Sequence, residues 1–558
     1  MKRFPSFLII VLMTTTALAQ EPAAKNRAAI EGIVTKDPDN QPVKKALIEL
    51  IAENQAEAGN YTAITGADGG FHIENILPGR YHLFAEHSGL LDSDHRRSTR
   101  TDGRMITLGA GQQVHNLYVR LQAAAVIRGR VTDEDGDPLA NTEVTVMRQT
   151  FTAGHTHWEQ VGAERTNDLG EYRVANLAAG NVYVSCSPPP DFKSLIESGG
   201  AGGEIRASRD KLAQTSYQTT YYPGTSDRSQ ASPIQLHAGD EFPINFSLTP
   251  SPSLSIRGSV VNLPPHTSAT IMLQSRDFNL VLNGGEMHKD GTFIIRDVSP
   301  GSYTIVAMVD GSATPMLARQ SLQVGSTNVE GVRLAPQAGV TVRGQLRLES
   351  KGAAKFDPQQ IFLMLASVEG EDDTGSVTLR ETFSNLAHVA SDGNFQWVDV
   401  PAGNYYVQVI GDPNQDWFVK SATAGGRDVN DAGISVNGGT AALDLIISSN
   451  GGIADGVVLD GNNQPVPDAV VVAVPEARLR GRIDHYRKTV SDQGGHFSLH
   501  GIRPGDYTVF AWESVEGEAY YNPDFLKTYE GQASALHVSE GEHKSVQLTV
   551  LADPEEQQ

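Results

Sequence analysis

The sequence predicts an all-β chain of five tandem antiparallel, seven-stranded β-sandwiches, and three observations carry that prediction. The first is a hairpin signature that recurs five times: DGGFHIENILPGRYHLFA from Asp68 to Ala85, then DLGEYRVANLAAGNVYV, DGTFIIRDVSPGSYTIV, DGNFQWVDVPAGNYYVQ and GGHFSLHGIRPGDYTVF. The second is a strand with an apolar-x-Gly pattern upstream of each hairpin. The third is a pair of short alternating segments downstream, such as IQLHAGDEFPINFSL and LHVSEGEHKSVQLTV. Together these give each unit about seven short strands with turns at sandwich spacing.

Within the hairpin, an aromatic (Phe71, Tyr172, Phe293, Phe395, Phe497) is followed at +2 by Ile73, Val174, Ile295, Trp397 or Leu499 and at +5 by Ile76, Leu177, Val298, Val400 or Ile502. Apolar residues alternate with polar neighbours, which is the pattern of a strand with one buried face. At +8 stand Gly79, Gly180, Gly301, Gly403 and Gly505, preceded by Pro in three copies. That pairing fits a type II turn with the Gly at positive φ, so these five are expected to be structural turn residues. The opening strands read Ile30-Glu31-Gly32, Ile127-Arg128-Gly129, Ile256-Arg257-Gly258, Val342-Arg343-Gly344 and, one residue longer, Ile453 to Gly456.

The repeat places domains at residues 28–122, 126–250, 254–336, 340–448 and 452–552, with an insertion at 187–233 whose Gly-rich part predicts a short helix and a loop. Each unit is large enough for its own core. The linkers are short, so sandwiches docked end to end would make an elongated particle on the order of 150 Å.

The start, MKRFPSFLIIVLMTTTALAQ, has the three parts of a secretory signal at residues 1–19, with cleavage expected after Ala19. No later apolar run approaches the ~20 residues of a membrane helix. Removing Lys2 and Arg3 leaves 42 basic against 66 acidic residues, a net −24. Without a basic block, that charge argues against nucleic acid or anionic membrane as partner. Cys186 is the only cysteine, which excludes an intramolecular disulfide, and its strand position reads as a small core residue rather than a nucleophile.

In G-x-V-x-D-x-x-G-x-P-(L/V)-x-x-A-x-V, D-x-x-G-x-(F/Y) and L-x-P-G-x-Y the chain resembles the carboxypeptidase regulatory-like domain, related to transthyretin-like (prealbumin-like), Cna B-type and starch-binding-like sandwiches. The first, second and fifth copies carry the resemblance through VTKDPDNQPVKKALI, VTDEDGDPLANTEV and VLDGNNQPVPDAVV; the third and fourth carry it in the hairpin and closing strands. YYNPDFLKTYEG is similar to a loop of large exported bacterial repeat proteins. The resemblance implies a fold more than an activity, because in metallocarboxypeptidases this domain accompanies the peptidase and does not itself catalyse. The opening strands SIRGSVV, IADGVVL and VIRGRVT lack the Lys that an isopeptide crosslink would need.

No HExxH, G-x-S-x-G or Gly-Lys phosphate loop occurs. His155-Thr156-His157 and DEDGD at Asp133 to Asp137 read as exposed polar segments, so no catalytic, cofactor or metal residue is expected. Aromatics outside the repeat grid, Trp158, Tyr221, Tyr222, Trp417, Tyr520 and Tyr521, are candidates for stacking on sugar rings or for covering the sandwich ends. The reading is an exported, non-enzymatic binding or scaffold protein of the bacterial envelope, in the periplasm, at the surface or outside the cell. Its partner would be an envelope protein or a glycan. Carbohydrate binding and service as an accessory module of a peptidase system are the alternatives, and the oligomeric state is open.

Overall fold

The computed structural model describes residues 27–53, 59–92, 103–152, 155–187, 215–217, 219–252, 254–275, 281–298, 300–312, 314–349, 361–367, 386–410, 416–437 and 442–552. The signal segment with Ala19 and most of the 187–233 insertion lie outside them.

Among the described residues, five successive apolar cores follow the repeat, each enclosed by the strands of one sandwich-like unit. The opening strands are Ala28–Asp37, Ala125–Thr132, Leu254–Val260, Val340–Glu349 and Gly452–Leu459. Each pairs antiparallel with the first hairpin strand of its unit: Gly70–Ile76, Glu171–Leu177, Thr292–Val298, Asn394–Val400 or His496–Ile502. On its other side each pairs parallel with a closing strand, for example Gln113–Ala123 or His543–Thr549. The returning hairpin strand lies in the facing sheet, as Gly79–Glu86 does between Leu47–Ala52 and Arg104–Leu108. In the third sandwich Val281–Met287 pairs with both sheets and joins them into one.

The repeated glycines are explained by pairing. Gly32, Gly129, Gly258, Gly344 and Gly456 stand opposite Phe71, Tyr172, Phe293, Phe395 and Phe497. A Cβ at Gly32 would come within 2.8 Å of the Phe71 ring and closer still to the Leu117 carbonyl of the parallel strand. The aromatic ring covers the space that glycine leaves, so the two residues are one device. In the fifth sandwich Ala454 occupies the register of Ile30, since Gly452/Ala454 shifts as Ala28/Ile30 does. That strand is therefore in step with the others, and the extra residue expected at Ile453 is absent from the pairing.

The positive φ expected at the five +8 glycines is present at three and absent at two. Gly79 and Gly505, at φ 159 and 158, are close to extended, and only Gly180, at φ 118, is well inside the positive range; Gly301 and Gly403 are not among the positive-φ residues. All five are the first residues of returning strands. The type II turn is thus corrected: at Gly301 and Gly403 a Cβ would meet the ring of Tyr303 at 3.3 Å or Tyr405 at 3.1 Å, so these glycines admit the tyrosine two residues on. The left-handed residue of the turn is two before the aromatic: Gly69, Gly170, Gly291, Gly393 and Gly495, at φ 73 to 84. Its carbonyl accepts from Val34, Val131, Val260, Leu346 or Val458, which ties the hairpin to the opening strand. A second left-handed residue, Asn75, Asn176, Asp399 or Gly501, sits at +4 in a bulge of the same ladder.

Tyr81, Tyr405 and Tyr507 fold their hydroxyls back to the carbonyls of Leu77, Pro401 and Arg503, at 2.5, 3.2 and 2.9 Å. Val182 takes this place in the second copy, where it is fully buried.

The fifth sandwich has a second core on the outer face of its Val470–Pro475 and Gly505–Trp512 sheet. Helix Pro523–Tyr529, capped by Asn522 with Pro at its start, buries Leu526 and Tyr529 there. Trp512 stacks on Phe510 at 4.9 Å beneath it.

Candidate functional site

Side chains of chemical interest concentrate where the fourth and fifth domains meet. Strand His496–Ile502 alternates, sending Phe497 and Leu499 into the core and Ser498 and His500 outward. Asp416 of the fourth domain reaches His500 Nδ1 at 3.1 Å and the Gly501 N–H at 3.3 Å, while its carbonyl accepts from Gly451 at 2.7 Å. His500 Nε2 lies 2.8 Å from Ser498 Oγ, which in turn lies 2.5 Å from Asp455 Oδ1; Asp455 also meets His543.

Asp416, His500 and Ser498 have the order of a nucleophilic triad. Ser498, however, has one proton and two acceptor-type neighbours. The 2.5 Å contact of the serine with Asp455 Oδ1 is shorter than its 2.8 Å contact with His500 Nε2, and the row of polar groups runs from the fourth domain into the fifth. Asp455 is held below the ordinary carboxylate pKa: burial works against this, and the bonds from Ser498 and His543 outweigh it.

A second group completes the junction. Arg482 is almost fully buried and makes a two-pronged pair with Asp484 at 2.8 Å, donates to the Asn430 carbonyl at 2.7 Å and stacks over the Tyr406 ring at 4.1 Å. Asp431 faces Arg478 and Arg503. Arg503 donates to Nε2 of the buried His485 at 2.9 Å; burial depresses that imidazole to a pKa of about 4. Lys420 binds both Glu349 and Glu540, and Ser448 donates to Glu540.

The outward position before the opening Gly carries different chemistry along the chain. Arg128 pairs with Glu241 and Arg257 with Glu330, whereas Glu31 takes His115 and Asp455 takes His543. Around Glu31 gather His72, Glu74 and His115, all about half-exposed. Among the described residues no group of three or more His, Cys, Asp or Glu stands in metal-binding geometry. In DEDGD, Asp133 Oδ1 accepts from the amides of Asp135 and Asp137, as Asp460 does from Asn462 and Gln464. The carboxylate thus closes a turn. The side chains of His155 and His157 lie outside the described residues.

Of the six non-repeat aromatics, Tyr221 and Tyr520 are buried, so a sugar ring has no access to their faces. Tyr222, Trp417 and Tyr521 are half-buried against the second, fourth and fifth domains' cores. Trp158 meets Tyr183 edge-on at 4.3 Å and lies under the Arg228 guanidinium. The structure gathers no two of the widely spaced members into one exposed platform; Tyr520 and Tyr521 do meet, at 4.6 Å, inside the helical cap. Cys186 is fully buried, and burial pushes its thiol up to about 12. Sequence reasoning missed Asp416, Arg482 and His485, and the only signal was the dense charge of ARLRGRIDHYRK.

The pairing of the opening Gly with the hairpin aromatic is shared by all five units. Residues 29–122 match the carboxypeptidase regulatory-like domain. The other four copies share this domain's strand pairing, register shift and left-handed turn glycine. No curated protein sequence matches the chain.

Among solved structures, the Bacillus anthracis TIE protein is 12% identical over 56% of this chain and 51% of its own, with a TM-score of 0.17. The chain therefore spans about half the length of that protein. A streptococcal ancillary pilin is 13% identical over 56% of this chain and 99% of its own, TM-score 0.18. The minor pilin GBS52 of Streptococcus agalactiae is 11% identical over 41% and 97%, TM-score 0.21. Among the described residues no helix is long and apolar enough to cross a membrane.

Proposed function

We propose that the chain is an exported, non-catalytic scaffold that offers sandwich edges and loops to a protein partner of the cell envelope. One observation carries this reading: the residues common to the five copies are all spent on building the sandwich. The opening Gly stands opposite the hairpin aromatic and the carbonyl of the turn Gly bonds the opening strand, and in three copies a tyrosine hydroxyl also closes on its own hairpin. What the chain repeats is therefore a support, and specificity belongs to the positions where copies differ. The Arg482 contacts with Asn430 and Tyr406 and the Asp416 contact with His500, which hold the fourth and fifth domains together, suit a support of fixed geometry.

The test is site-specific photo-crosslinking in the native envelope. Ile64, 68% exposed on the edge strand Tyr61–Ile64, should capture one protein species at fixed stoichiometry, and buried Ile48 should not. Glycan-array binding that is lost in Trp158→Ala would replace this reading with carbohydrate recognition. Turnover of ester or peptide substrates that is lost in Ser498→Ala would replace it with catalysis.

A further inference from the structure

The first and fifth domains touch, through residues 386 positions apart in sequence. Arg104 Nε stands 2.8 Å from Asp468 Oδ2, each side chain about a fifth exposed. Gln493 Oε1 accepts from the Thr107 N–H at 3.1 Å, and its Nε2 donates to the Thr107 carbonyl at 2.8 Å. The glutamine amide thus does for strand Arg104–Leu108 what a neighbouring strand's peptide group would do. That strand is the last of its sheet on this side, bonded on the other to Gly79–Glu86. A little further along, Gln112 takes the Gly109 N–H at 2.7 Å. An open sheet edge is a template for pairing with another chain, and two glutamines cover this one: a local residue and a residue of the fifth domain.

The contact joins two different patches near opposite ends of one chain, so it is heterologous, and because strand Glu143–Thr152 of the second domain also packs against Glu516–Tyr521 of the fifth, the first and second domains together form one half of it, closed within a molecule or between two. Within one chain it is favoured by the high effective concentration of tethered partners. It is also shallow: the groups involved lie outside both sandwich cores, which remain intact whichever copy supplies the partner.

We propose that the first two domains and the fifth are complementary halves of a self-association interface, closed in cis in the single chain and exchangeable with a second copy. In the exchanged form the first two domains of each copy hold the fifth domain of the other. This inference does not depend on what the scaffold binds.

Charge reversal tests it on the full mature chain. Arg104→Glu and Asp468→Arg each set like charges across the cis contact, and each variant alone should be an opened monomer with a larger hydrodynamic radius than wild type. Mixed in equal amounts, they regain opposite charges only between chains, at both contacts of a reciprocal dimer, so light scattering should show a doubling of mass. The double variant restores the cis pair and should return to a closed monomer. Asp468 sits at φ 63 and Arg104 also bonds the Tyr118 carbonyl, so circular dichroism must show each variant folded. Where Asp468→Arg fails to fold, Gln493→Glu serves as the second opened variant, since its carboxylate cannot donate to the Thr107 carbonyl, and its mixture with Arg104→Glu regains one of the two contacts, which still doubles the mass. A mixture that stays monomeric while each variant is open, or single variants with the radius of wild type, would overturn the proposal.

Discussion

The fifth domain holds the fourth and the first in different ways. Toward the fourth it uses buried or half-buried groups with several partners each: Arg482 with Asp484, Asn430 and Tyr406, Asp416 with His500 and Gly501, and Lys420 with two carboxylates. The backbones also approach closely, and a Cβ at Gly451 would meet Gly501 at 2.7 Å. Toward the first it uses one ion pair and one side-chain amide aimed at an edge strand. A contact in which many groups share partners loses several bonds together and acts as a fixed joint, whereas an ion pair and the two hydrogen bonds of one amide at a sheet edge open at lower cost. The fourth and fifth domains are thus firmly joined, and the first and fifth are clasped.

The largest expected effect removes both contacts at once. Gly456→Ala drives a methyl into the Val546 carbonyl and the Phe497 ring, and should cost the fifth domain at least about 3 kcal/mol. Limited proteolysis should then release the chain after about residue 450 and leave a resistant remainder, because the other cores do not share its residues.

Acid separates the joint from the clasp. His485 is buried in neutral form with its pKa near 4 against an ordinary 6.5, so between these values the unfolded chain binds a proton that the folded one refuses. Stability is full above pH 6.5 and falls as pH drops toward 4, by on the order of 2–3 kcal/mol. Denaturant melts of wild type and His485→Gln should diverge across that window, and a parallel pair of curves would show that His485 is not the cause.

A smaller effect comes from Asp416→Ala, which removes two bonds to the fifth domain at half-exposed positions and should weaken the joint by about 1–2 kcal/mol. Hydrogen exchange should then rise at Gly501 while the Thr107 amide, held by Gln493, is unchanged.

The smallest effect separates two glycines of one hairpin. Gly505→Ala should cost less than about 1 kcal/mol, since φ is 158, at the margin of extended backbone, and the nearest Tyr507 atom is 3.7 Å away. Gly495→Ala, at φ 74 and 2.9 Å from the Val458 carbonyl, should cost about 1–2 kcal/mol. Thermal melts of the two variants make the comparison directly.

The hairpin was legible in sequence because its determinants are local: an aromatic, two apolar residues on one face and glycines at fixed offsets. Conformation at each glycine was not, since the positive φ at Gly69 and Asn75 follows from the ladder to Ala28–Asp37, some forty residues away. The opening Gly likewise shows its purpose only when Phe71 lies over it. Helix Pro523–Tyr529 had its start written in Asn522-Pro523, but seven residues carry too little period to reveal the second core beneath. The joint and the clasp left no pattern, because Asp416, Gln493 and Asp468 are ordinary turn residues until another domain stands opposite them. For that reason five domains read as a rod, while the structure brings the first and last together.

Small-angle scattering of the wild-type mature chain tests that difference most directly. A chain closed from first to fifth domain predicts a maximum dimension well below the ~150 Å of five sandwiches end to end, with Gln493→Ala shifting the profile outward. A wild-type particle that is already a rod of that length would contradict the account.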